Sequence, residues 1–136
     1  MPDVIHVSSV AGSPLLDSAG ERLGRVDDVV VRMDHPRGLP PVVGLAARIG
    51  GREMFVPIAR VEQFGPDVVS TSTTKLNLAQ FERRPGEVLL RADVLDRSLI
   101  NMDSARLVTA REVELVCEQS RWRVAGIDPC FRARLV

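Results

Sequence analysis

The chain has 136 residues, 45% of them hydrophobic and 26% charged, enough to bury one ordinary core or two small ones, and this excludes disorder as the main state. Eighteen basic residues balance eighteen acidic ones, so no net charge draws the chain to nucleic acid or to anionic lipid. No run approaches the roughly 18 apolar residues that cross a bilayer, and Met1-Pro2-Asp3 lacks the basic, then apolar, start of a signal peptide, which argues against direct membrane insertion and for the cytoplasm.

Twenty valines, no tyrosine, ten glycines and nine prolines suit short β-branched strands separated by turns, and an all-β fold is expected. Residues 4–7 read as a first strand, and Ser8 and Ser9 as caps of one helical turn ending at Gly12. Leu15-Leu16 leads to a polar turn, Asp17 to Gly20, in which Gly20 supplies the positive φ. From Arg22 to Met33 the inward set Leu23, Val26, Val29, Val31 changes phase near Asp27-Asp28, the mark of a bulge at a barrel corner. A loop of breakers, Asp34 to Pro41, precedes a returning strand at Val42–Arg48, a hairpin turn at Gly50-Gly51 and a strand ending at Pro57. Two more short strands flank Gly65-Pro66-Asp67. Leu76, Leu78 and Phe81 suggest one or two helical turns, stopped by Arg83-Arg84-Pro85-Gly86.

The remainder repeats the beginning. Residues 88–115 align without a gap on residues 4–31 at a constant offset of 84, so that Val4, Val10, Leu15, Arg22, Leu23 and Val29 recur as Val88, Val94, Leu99, Arg106, Leu107 and Val113. Asp28 falls opposite Glu112. After a turn two residues shorter, Arg121–Ile127 matches the strand at Val42, with Gly126 opposite Gly44. The expected organisation is a β-barrel at 1–72, a linker with a short helix at 73–86, and a second, partial repeat at 87–136. The second copy lacks counterparts of the later strands, which leaves an edge to be covered by a partner, a homodimer mate, a swapped segment or further chain.

The run Asp17, Gly20, Leu23, Gly24, Val26, Asp28, followed at barrel distance by Phe55-Val56-Pro57-Ile58, resembles the PRC-barrel family, whose pattern is a D-x-x-G-x-x-(I/L)-G-x-V-x-D-V hairpin with a later (F/V)-V-P strand. In the second copy Gly20, Gly24 and Val26 have become Ser104, Val108 and Ala110. The continuation Leu76-Asn77-Leu78, Phe81 to Gly86 and Asp93-Val94-Leu95-Asp96 is similar to the N-terminal region of actinobacterial MgtE-like proteins, which carry a helical domain and CBS domains downstream. The resemblance implies a small barrel used for association or regulation, attached to magnesium transport at the cytoplasmic face of a membrane. The alternatives it leaves are a ribosome-associated adaptor and a small-ligand or metal sensor.

No catalytic, cofactor or metal residue is assigned from the sequence. His6 and His35 have no evident partner, no phosphate-cradling glycine loop precedes a helix, and Cys117 and Cys130 show no zinc spacing. Asp17, Asp27, Asp28 and Asp34 form the one acidic cluster that suggests Mg²⁺, yet neighbouring strand residues point to opposite faces, so Asp27 and Asp28 are not expected to converge on an ion. Asp28 is expected instead to accept hydrogen bonds at the bulge, with Glu112 its counterpart. Gly20, Gly24, Val26, Asp28, Pro57 and Gly126 are read as structural motif positions. Trp122 between Arg121 and Arg123 is read as a core or junction filler, and as a candidate interface together with the proline-rich loop at Pro40 and Pro41.

Overall fold

The computed structural model describes residues 3–33, 40–65, 67–72, 79–95, 98–101, 106–118 and 121–130. A short strand β1 (Asp3–His6) leads into a single helical turn, α1 (Val7–Val10). Val7 and Val10 lie on one face and are fully buried, so packing holds this turn. Its N-cap position, His6, makes no side-chain cap hydrogen bond. Ser8 and Ser9 are therefore not the caps expected. The Ser9 carbonyl accepts from the Ser13 hydroxyl at 2.8 Å, and the Ser8 hydroxyl donates to the Glu112 carboxylate.

Strands β2 (Pro14–Leu16) and β3 (Arg22–Arg32) form the expected hairpin. Its turn is closed by the Asp17 carboxylate, which accepts from the Ala19 and Glu21 N–H groups at 2.9 Å each, with Gly20 at φ +85°. The pairing register shifts between Val26 and Asp28, the place where the hydrophobic phase changes. β4 (Val42–Ile49) and β5 (Arg52–Pro57) follow, then a 3-10 turn at Ile58–Arg60, β6 (Val61–Gly65) and β7 (Val68–Thr71). The expected helix fails where it can be seen. Ala79 and Gln80 form strand β8 (Ala79–Gln80), paired with Met54 and Phe55, and the Phe81 ring stacks on Phe55 at 6.3 Å. An available strand edge and an aromatic partner outweigh a weak helical pattern. Leu76 and Leu78 lie outside the described residues, as does most of the loop from Asp34.

The second half contains β9 (Glu87–Leu89), a π-type turn at Leu90–Val94, β10 (Ser98–Asn101), β11 (Arg106–Glu118) and β12 (Arg121–Cys130). The repeat survives in three dimensions down to its irregularities. The shift between Val26 and Asp28 in β3 recurs between Ala110 and Glu112 in β11, and the shift between Val30 and Val31 recurs between Glu114 and Leu115. Each of these positions differs by 84.

The two repeats exchange their first strands. β1 pairs with β11 of the second repeat (Val4 opposite Val116), while β9 pairs with β3 of the first (Val88 opposite Val31), in registers that differ by one residue. One sheet runs β6-β7-β2-β3-β4-β5-β8 with β9 on β3, and the other β1-β11-β10 with β12 on β11. The larger sheet is not closed, since no described pairing joins β6 to β8. A single apolar cluster spans both repeats, bringing Leu90, Val113 and Leu115 together with Val7, Val26, Leu45, Val56 and Val69. Among the described residues no helix is long and apolar enough to cross a membrane.

Candidate interaction surface at the repeat junction

Two carboxylates fasten the repeats to each other. Asp28, 2% exposed, accepts from the Val29 N–H at 2.8 Å and, across the exchange, from the N–H groups of Arg91 at 2.6 Å and Ala92 at 2.9 Å. Burial raises its pKa and these donors oppose the rise. Glu112 does the equivalent on the other side, accepting from the Val113 N–H at 3.2 Å and from both the N–H and the hydroxyl of Ser8. Ser8 and Ala92 are themselves 84 apart. Partial burial would raise the Glu112 pKa, but the Ser8 hydroxyl and N–H outweigh it and hold the carboxyl below its ordinary 4.5.

A carboxylate with a lowered folded pKa stabilises above its unfolded value, and that stability is lost as pH falls through the folded one. Glu112→Gln is therefore expected to cost about 1 kcal/mol at neutral pH. In urea melts the gap between the two proteins should narrow steadily as pH drops below about 4.5. A gap constant with pH would show that the ionised carboxylate is not the stabilising form.

The starts of β4 and β12 meet. Pro41 bridges Arg123, its own counterpart in the repeat alignment, and the Val124 N–H donates to the Pro40 carbonyl at 2.8 Å. The two separately read interface candidates, the proline-rich loop and the Arg121–Arg123 run, are thus one place. There a cavity of about 350 Å³ opens, lined by Pro41, Val42, Ile58, Ala59, Arg121, Trp122 and Arg123. Trp122 is half-buried, its ring tilted against Phe64 of β6 with centroids 4.9 Å apart. It fills the junction between the repeats. Phe64 was not picked out from the sequence, and Ile58 and Ala59 belong there to the family motif alone, where nothing in their local pattern links them to Trp122.

The other motif positions stay in the framework. Val26 is fully buried on β3. Gly24 faces β4 so closely that a Cβ there would stand 2.1 Å from the Arg48 carbonyl oxygen. Pro57 ends β5 opposite Gly44, and Gly126 pairs with Glu114 within β11–β12. Asp27 and Asp28 do point apart. Asp27 faces Arg25 and Arg48, each at 3.6 Å, while Asp28 is turned inward. Asp17 is spent on its turn, and Asp34 lies outside the described residues. Among the described residues no group of three or more His, Cys, Asp or Glu side chains gathers to hold a metal ion.

Comparison with known proteins agrees with this framework. No curated protein matches the chain. The family model of the PRC-barrel domain, a small module for protein interaction, matches residues 2–78, which include the hairpin, the bulge at Asp28 and the Phe55-Val56-Pro57 strand. With more than half of its 136 residues matched, the chain belongs to the PRC-barrel family.

Proposed function

We propose that this chain is a non-enzymatic, cytoplasmic docking module that binds a protein partner through the groove at the repeat junction. The observation that carries this reading is the convergence of Trp122, Arg121, Arg123 and Pro41 on one cavity, with Pro40 tied beside it by the Val124 N–H. Tryptophan and arginine in a partly buried pocket are the residue types on which interfaces concentrate their binding energy. The wider setting we propose is a protein concerned with magnesium transport. Its support is the run from Leu76 through Gly86 to Asp96 that resembles MgtE-like N-terminal regions.

A photo-cross-linking side chain at the exposed lining residue Ala59 tests the site, with the exposed turn residue Ser18 as control. One discrete adduct is expected from Ala59, abolished by Trp122→Ala, and none from Ser18. Equal labelling at both positions would contradict the assignment. Trp122→Ala should also lower the unfolding free energy, by about 2 kcal/mol, because the ring leaves both Phe64 and the core. Denaturant melts fix how much of a lost adduct reflects lost fold.

One observation favours a second reading, self-association. β4 is paired along both edges, whereas β12 beyond Val124 has a described partner only in β11. Pro129 lies in β12, and with no N–H to offer it makes that strand a poorer template for another. Light scattering over a range of concentrations separates the readings. A strict monomer removes the second, and a concentration-dependent dimer that Trp122→Ala leaves intact supports it.

A further inference from the structure

We infer, resting on the contact surface proposed above, that the junction groove takes an extended acidic segment of a partner protein, with an apolar side chain seated beside Trp122. Pro41, Val42, Ile58 and the Trp122 side chain give the cavity apolar lining. Positive charge stands at and beside it, since the lining residue Arg121 is exposed and Arg60 is exposed directly after the lining residue Ala59. Among the described residues that line the cavity there is no carboxylate.

This local excess matters because the chain as a whole is neutral. Complementary charge at the rim of an apolar pocket steers a partner and rejects those of the wrong sign. At about 350 Å³ the cavity sits at the low end of the roughly 300–1,000 Å³ of small-molecule sites. It suits one anchoring side chain better than a whole ligand. Its walls favour an extended chain, since the segments at Pro41 and Arg123 run antiparallel past each other. Single-stranded nucleic acid fits less well. Stacking of bases needs a free ring face, and Phe64 already covers part of Trp122 at 4.9 Å.

Trp122 is the only tryptophan, so the intact chain carries its own reporter. Three synthetic peptides are titrated against its fluorescence, each with alternating leucines and with Glu, Gln or Lys between them, beside a short oligothymidylate. The Glu peptide is expected to shift the emission saturably, the Gln peptide to bind roughly tenfold more weakly, and the Lys peptide not at all. Added salt should weaken the Glu peptide. Arg121→Glu, an exposed change whose fold is checked by circular dichroism, should weaken it roughly tenfold. Equal binding of the Gln peptide overturns the acidic assignment and leaves the contact surface standing. Binding of oligothymidylate as tight as that of the Glu peptide overturns the choice of a protein partner. Silence toward all probes overturns the inference, and the Ala59 cross-link then decides separately whether the groove is a contact surface.

Discussion

Asp28→Ala is expected to lower the unfolding free energy by about 4 kcal/mol, read as a shift in the urea midpoint at unchanged slope. Three N–H donors lose their acceptor at once, those of Val29, Arg91 and Ala92. Each buried donor left unpaired costs about 1–3 kcal/mol, and the total falls below the maximum because water reaches the exposed Arg91. Asp28→Asn should recover roughly half, because one oxygen still accepts while the amide nitrogen turns toward a donor. Glu112 makes the matching contacts, but to an exposed Ser8, and its loss is the smaller one. A cost near 1 kcal/mol for Asp28→Ala would mean that Asp28 does little to hold the repeats together and that the exchanged strands and the shared core do so instead.

Gly24→Ala is expected to cost about 3 kcal/mol, at the upper end of what overpacking usually does. The added methyl would lie 2.1 Å from the Arg48 carbonyl oxygen and 3.1 Å from an Ile49 side-chain carbon. Backbone must move to admit it, and β4 is fixed by β3 on one side and β5 on the other. Rotamer adjustment cannot relieve a clash with a carbonyl. A thermal melt within a degree or two of the unchanged protein would contradict this account of the hairpin glycine.

Local chemistry made much of the first repeat legible. The polar turn from Asp17 to Gly20, the phase change at Asp27-Asp28 and the glycine pair at Gly50-Gly51 each encode their geometry within a few residues, and each sits where expected. The repeat was readable as well, because apolar positions recur at a fixed offset. The exchange of β1 and β9 was not. Either strand can satisfy its backbone against β3 or β11, whose patterns are alike, and no local signal says which. The segment near Phe81 was misread for a related reason, since its conformation is set by an edge strand and a phenylalanine far back in the chain. Trp122, Arg121 and Arg123 were conspicuous by residue type. Their apposition to Pro41 and Ile58 depends on where the two repeats meet, which no single segment encodes.

The exchange is the central claim, since it makes one folding unit of the two repeats that both line the groove. Native-state hydrogen exchange of the backbone amides tests it most directly. Arg91 and Ala92, bound to Asp28, and the paired residues of β1 and β9 should open with the same free energy as Val29 and Leu45 in the first repeat, all of them only on global unfolding. If the amides of the second repeat instead opened together at a distinctly lower free energy while those of β3 and β4 stayed protected, the repeats would be separate units and the exchanged pairing would be wrong.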